Sequence, residues 1–182
     1  MAATPETRDP REVIETDRLI LRRHRLEDAD AVAAMWADPE MVRHIGKPAS
    51  AEESWGRLLR YAGHWALFGY GLFAVEQRET GRLVGGVGVG HFRRSGITEP
   101  EHSAEAAWAF SSAVHGLGYG RESMRAVLAW VDAAVPVART HCIIAPENAA
   151  SRRLAAGLGY VETGRQTYRD DEVIFLVRET PA

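Results

Sequence analysis

Residues His115 to Met124 read HGLGYGRESM, and the fold turns on how this stretch is read. Three glycines, Gly116, Gly118 and Gly120, stand at alternate positions after the apolar run Ala104 to Phe110, which predicts a strand. Beyond them Met124, Val127, Leu128, Val131 and Val135 recur at helical spacing. A strand, a glycine-rich turn and a helix in that order leave unpaired backbone N–H groups at the helix N-terminus. Glycine tolerates positive φ and lets an anion approach the backbone. Those N–H groups and the helix dipole favour a phosphate or pyrophosphate there. On the glycines alone, a tight connection with small residues for packing stays open. Two familiar phosphate motifs are excluded: no GxxxxGK[ST] occurs, and Lys47 is the only lysine. The spacing is GxGxG, not GxGxxG, and it falls late in the chain.

A chain of 182 residues fits one domain. We expect residues 1–12 to be a flexible tail and 13–182 the domain. With 46% hydrophobic and 26% charged residues the composition is that of a globular protein. A net charge of -3 gives no argument for nucleic acid as a partner. The single cysteine, Cys142, excludes an internal disulfide, suits a reducing compartment, and sits in an apolar run as a packing residue. The opening MAATPETRDPRE lacks the apolar core of a signal peptide. The longest apolar region, Ala126 to Ala138, is broken by Asp132 and Pro136 and is too short to span a bilayer. A soluble, cytoplasmic protein without a membrane partner is expected.

In chain order, Val13 to Arg23 predicts a first strand. Leu26, Ala29, Val32, Ala33 and Trp36 share one helical face, and Asp38-Pro39 stops that helix. Met41 to Ala49 reads as a loop, and Ser50 with Glu53 forms a capping box. Behind it Trp55, Leu58, Leu59, Ala62 and Trp65 mark a second helix. Gly71 to Glu76 and Leu83 to Phe92 are strands; the glycines of the latter leave either close packing or room for a ligand. A charged loop, Arg93 to Ser103, leads into the fourth strand, Ala104 to Phe110. After the third helix, Arg139 to Ala145 is a fifth strand, and Asn148 caps a short helix closed by Gly159. Val161 to Tyr168 and Val173 to Val177 complete the set around the turn Arg169-Asp170-Asp171. Short connections in the middle argue for antiparallel pairing, and the later strand–helix–strand units for a parallel pair. A mixed α/β (α+β) sheet with helices on both faces follows.

This order and three motifs resemble the GNAT superfamily of acyl-CoA-dependent N-acetyltransferases, in particular its RimJ/RimL-like branch. The motifs are AEAAWAF, HGLGYGRES, and ENAASRRLAAGLGY at Glu147 to Tyr160; the likeness runs from ETDRLILR to FLVRE. The resemblance implies a single-domain fold with a six- to seven-stranded mixed sheet, splayed between the fourth and fifth strands. It implies that His115, Gly116, Leu117, Gly118, Tyr119, Gly120 and Arg121 bind the pyrophosphate of acetyl-CoA through backbone amides. Phe110, Ser111 and Ser112 would pair with the pantetheine arm, Asn148 and Ser151 would flank it, and Arg152 or Arg153 would reach the phosphates. Where many relatives carry a general-acid tyrosine this chain has Ala155, which leaves Ser151 as the proton donor to the leaving thiolate.

The amine acceptor, a protein N-terminus or a small molecule, attacks only as the neutral base. Glu105 is the best-placed carboxylate to take its proton, with His91 and His102 as alternatives. Asp170, Asp171, Glu172, Glu99, Glu101 and Glu105 would favour a cationic amine if they face the cleft. The histidines and cysteine show no metal-ligand spacing, so no metal is expected. An acyl-CoA sensor without turnover and a nucleotide-binding regulator are the rival readings. Monomer and homodimer both stay open.

Overall fold

The computed structural model describes residues 13–181. The expected tail, residues 1–12, lies outside them. Eight strands form one sheet in the order β1-β2-β3-β4-β5-β6-β8-β7. They are β1 (Val13–Glu15), β2 (Leu19–Arg22), β3 (Leu72–Gln77), β4 (Leu83–Gly90), β5 (Ser103–Phe110), β6 (Arg139–Ile144), β7 (Val161–Tyr168) and β8 (Asp171–Glu179). The helices are α1 (Ala29–Ala37), α2 (Pro39–Val42), α3 (Ala51–Phe68), α4 (Tyr119–Ala134) and α5 (Ala149–Gly157). No helix of the described residues is long and apolar enough to cross a membrane.

Two expectations need correction. The single first strand is a hairpin, β1 against β2, which raises the count from six or seven to eight. Thr16 makes the turn: its N–H donates to Leu19 O at 2.9 Å and its Oγ1 accepts from Leu19 N at 3.1 Å. Likewise Asp38-Pro39 ends α1 but also starts α2. Asp38 caps it by accepting from Glu40 N at 2.9 Å, and proline suits the first helical position. The capping box of α3 forms as expected, with Glu53 N to Ser50 Oγ at 3.2 Å and Ser50 N to Glu53 Oε2 at 2.7 Å.

Met124, Val127, Leu128 and Val131 of α4 are buried against Leu21, Phe73, Val87, Ala104 and Ala106. A second cluster joins Val32, Met35, Trp36, Met41, Val42 and Leu58 of α1, α2 and α3, with Ala109 of β5 packed on it. Phe73 is 0% exposed, and its ring sits edge-on to Trp65 at 4.8 Å and Trp130 at 5.3 Å. Phe73→Ala should therefore cost about 3–5 kcal/mol of stability, read from urea unfolding. A cost below about 1 kcal/mol would mean that this aromatic cluster is not the keystone it resembles.

The β4 glycines are largely a packing device. A Cβ at Gly88 would come within 2.3 Å of Gly71 O, and one at Gly85 within 2.5 Å of the Phe110 ring. The sheet's functional feature lies one strand further on. Every neighbouring pair is antiparallel except β5 with β6, and that parallel pair is joined only from Ser103↔Arg139 to Glu105↔His141. Beyond Glu105, β5 stays with β4 and β6 stays with β8, so the two strands part. The sequence expectation of a splay between these strands is correct.

Candidate active site

The opening between β5 and β6 exposes backbone. Ser111 N–H donates to Val84 O at 2.9 Å, so odd-numbered residues at this end of β5 bond to β4. Antiparallel alternation then turns the N–H and C=O groups of Trp108 and Phe110 toward the opening. His115 Nε2 lies 3.0 Å from Phe110 O, and since a carbonyl only accepts, the ring donates. Ser112 Oγ donates to the Asp38 carboxylate, which ties the end of β5 to α2. That hydroxyl, followed by the Glu40 N–H, holds Asp38 below the usual carboxylate range.

The far wall is the N-terminal turn of α5. Asn148 Oδ1 accepts from Ser151 N at 3.0 Å, so Asn148 does cap the helix. Ser151 Oγ accepts from Trp108 Nε1–H at 3.2 Å, which leaves its own proton free to donate. Thus Ser151 faces β5 across the opening. Ala155 is buried in the core instead. Arg152 donates to Pro146 O at 3.3 Å, and Arg153 is exposed.

At the C-terminal end of β5 the chain makes one 3-10 turn, Ser112–Val114, and enters the glycine loop. Gly116 and Gly118 have φ of 80° and 82°, so both need glycine's freedom. Gly118 is the N-cap of α4. The N–H groups of Gly118, Tyr119, Gly120 and Arg121 find no acceptor among the described residues. Gly120 differs: it is helical, and a Cβ there would meet Leu154 Cδ2 at 3.1 Å. Its smallness serves the contact with α5 rather than a special φ.

A brace holds the loop that the sequence reading did not assign. Arg18 donates through Nη1 to Leu117 O at 3.0 Å and through Nε to Glu122 Oε2 at 2.7 Å. Thr16 Oγ1 and Arg18 N both donate to Glu122 Oε1, at 2.6 and 2.9 Å. Burial pushes the Glu122 carboxyl up, but these donors together pull it below its ordinary value. The β1–β2 turn and the first turn of α4 are thereby one unit.

Glu105 lies on the side of β5 away from α4. It is 2% exposed, and Arg94 Nε donates to both its oxygens at 2.9 and 2.7 Å. Arg94 Nη1 also donates to Tyr168 Oη at 3.0 Å. Burial pushes the Glu105 carboxyl up, the Arg94 pair pulls it down, and the net direction is upward. His141, 0% exposed, and Glu99 bring their ligand atoms within 4.8 Å of Glu105. The fold assembles this trio from three segments, so no sequence spacing betrays it. Ser103 Oγ gives its proton to Pro100 O at 2.7 Å and takes one from His141 Nδ1 at 3.1 Å. His141 Nε2 is therefore an acceptor, buried without a donor among the described residues. Burial, with Arg94 and His91 adding to it, lowers the His141 pKa to about 4 and keeps the ring neutral. Of the alternative bases, His91 is held by Tyr70 Oη at 2.6 Å and His102 is exposed.

Residues 18–161 match the family model described as "Acetyltransferase (GNAT) domain". The chain is 25% identical over 154 residues to an uncharacterized N-acetyltransferase, YoaA, of Bacillus subtilis (strain 168), covering 84% of each. In structure it is similar to a GnaT-family acetyltransferase from Bordetella pertussis. The TM-score is 0.81 at 28% identity, covering 92% of this chain and 99% of that one. A more distant likeness, of fold alone, is to the ribosomal L7/L12 alpha-N-protein acetyltransferase RimL in complex with coenzyme A. There the TM-score is 0.76 at 16% identity, covering 92% and 98% of the two chains. A mixed sheet opened beside a glycine loop, and a family model spanning most of the chain, lead to one conclusion: this protein belongs to the GNAT acetyltransferase family.

Proposed function

We propose that the chain moves an acetyl group from acetyl-CoA to a primary amine by direct attack in a ternary complex. The observation that carries this reading is the placement of three elements on one opened strand, β5. Loop N–H groups without an acceptor among the described residues lie past its C-terminal end, backbone groups of Trp108 and Phe110 turn toward the gap, and a buried carboxylate stands where the gap closes. The loop N–H groups hold the pyrophosphate, and the backbone of Trp108 and Phe110 pairs with the pantetheine amides. An N–H of the segment 110–112 polarises the thioester oxygen. In this reading the chain falls in the RimJ/RimL-like branch, whose motifs its AEAAWAF, HGLGYGRES and ENAASRRLAAGLGY resemble.

At pH 7 an amine of pKa about 10.4 is roughly a thousandfold scarce as free base, a penalty of about 4–5 kcal/mol. Glu105 takes one proton from the ammonium and passes it on to solvent. The nitrogen then forms its bond to the acyl carbon while the carbon–sulfur bond breaks. Ser151 gives its proton to the departing thiolate and regains one from the nitrogen. A carboxyl raised by burial suits this work, because a base closer to the operating pH retains the proton it takes.

One observation favours a second reading, an acyl-CoA sensor without turnover: Arg94 engages both oxygens of Glu105. Free thiol release from acetyl-CoA across a panel of amines separates the two. Acceptor-dependent release is expected. Tight CoA binding with no release for any amine would leave the sensor standing.

A further inference from the structure

On the side of the sheet that carries Glu105, three arginines stand without an ion-pair partner among the described residues. Ala109 packs on the cluster that contains Trp36, and Ala109 and Glu105, four residues apart on β5, point to the same face. The Arg57 guanidinium of α3 lies 3.8 Å over the Trp36 ring, and its Nε is buried with no acceptor among the described residues. Burial, and then Arg60 and Arg169, lower the Arg57 pKa against the opposing pull of Tyr61 and Glu53. Glu53 is spent on the capping box with Ser50. Among the described residues no carboxylate comes within ion-pair distance of Arg57, Arg60 or Arg169. Arg169 lies over the Tyr168 ring at 5.1 Å, and Arg94, which holds Glu105, lies over the same ring at 5.0 Å. Arg57 is half-buried while Arg60 and Arg169 are exposed; like charges brought near one another repel, and an arriving anion relieves that repulsion.

We propose that the acceptor amine also carries an anionic group, a carboxylate or a phosphonate, which Arg57 binds together with Arg60 and Arg169. This rests on the acetyl-transfer reading above and names its substrate class. The guanidinium fork suits such a group, because it gives two parallel N–H donors to two oxygens. Of the acidic residues that the sequence offers for a cationic amine, Glu99 keeps a buried oxygen without a hydrogen-bond partner among the described residues. It lies beside Glu105, where the amine itself would sit. Glu172 pairs with Arg165 at 2.5 Å, Asp170, Asp171 and Glu101 are exposed, and Arg94 covers Glu105. A polyamine would bring further positive charge to this cluster.

The test uses the whole protein with acetyl-CoA and three amines: a short acidic peptide with a free N-terminus, an aminoalkylphosphonate and spermidine. Either anionic amine should exceed spermidine in kcat/KM, and which of the two leads identifies the group. Arg57→Gln and Arg169→Gln should each raise KM for the better anionic amine at least about tenfold, the weight of one charge-assisted hydrogen bond. kcat and CoA affinity should hold, and Arg57→Lys should recover part of the loss. Arg169 is exposed, so its variant guards against misfolding at Arg57. Preference for spermidine, or an unchanged KM in both variants, overturns the proposal while acetyl transfer stands. If no amine is acetylated, the transfer reading fails, and calorimetry with N-acetylglutamate decides the anion site. Binding lost in Arg57→Gln upholds it, and no binding to the wild type overturns it.

Discussion

Glu105→Gln is expected to lower turnover by about 10²–10⁴-fold with acetyl-CoA binding nearly untouched, because the variant keeps the shape and loses only the proton acceptor. The pH profile distinguishes this from a structural defect. Glu105 must be ionised to act, and burial sets its folded pKa above the ordinary carboxylate value despite Arg94. The acid limb of kcat/KM in the wild type should therefore fall at a higher pH than for an exposed glutamate, and Glu105→Gln should lack that limb. Removing the opposing charge gives a second reading of the same group. In Arg94→Gln the carboxyl loses the partner that pulls it down, so the limb should move to still higher pH. The linkage to stability has a definite sign as well. A carboxyl whose folded pKa exceeds its unfolded one binds its proton more tightly in the native state. Its stabilising contribution is full below the unfolded pKa and is lost as pH rises through the folded one. Full activity of Glu105→Gln at pH 7 with a saturating acceptor would assign the proton elsewhere or show that no protein base is needed. Ser151→Ala should slow turnover less, since a CoA thiolate is a tolerable leaving group near neutral pH.

The parts of this site that the sequence discloses are those set by short-range rules. The capping box at Ser50 and Glu53 spans three residues, the Asn148 cap reaches only to Ser151, and Gly116 and Gly118 take the positive φ that their spacing suggests. What stays hidden is pairing across the fold. Arg18 and Glu122 are 104 positions apart, and nothing periodic links them. Arg94 and Glu105 are 11 apart and separated by an irregular loop, so a charged loop and a strand acid give no sign of an ion pair. His141 stands next to Cys142 in the sequence with no ligand spacing around it; only the parallel register with Glu105 brings it to the site. The β1–β2 hairpin escapes for a different reason. Its turn runs through Thr16, Asp17 and Arg18 without glycine or proline, so Val13 to Arg23 reads as one extended segment. Charge is the hardest property to place from sequence. A count of acids suggests a cationic acceptor, whereas the folded chain pairs Glu105 and Glu172 with arginines, leaves Asp170, Asp171 and Glu101 in solvent, and buries an oxygen of Glu99 beside Glu105.

Gly118→Val should weaken CoA binding at least tenfold, about 1.4 kcal/mol, while the fold persists. At φ of 82° glycine is unstrained, but a β-branched residue there costs about 1–3 kcal/mol unless the backbone rotates. Space is not the obstacle, since a Cβ at Gly118 would meet only Arg18 Nη2 at 3.6 Å, an ordinary contact. Conformation is. Rotating Gly118 re-aims its own N–H and that of Tyr119, two of the four groups without an acceptor at the start of α4. Their aim, together with the dipole, is what binds an anion there. Gly120→Val provides the contrast: its φ is helical, and the cost falls on Leu154 of α5, whose side-chain end can yield. It should lose less affinity and more thermal stability than Gly118→Val. Inorganic pyrophosphate gives the decisive comparison, because it engages the loop and nothing else of the CoA molecule. It should compete with CoA in the wild type and in Gly120→Val, and compete poorly in Gly118→Val. Equal CoA affinity in wild type and Gly118→Val by calorimetry would remove the loop from the binding site, whatever its resemblance to one.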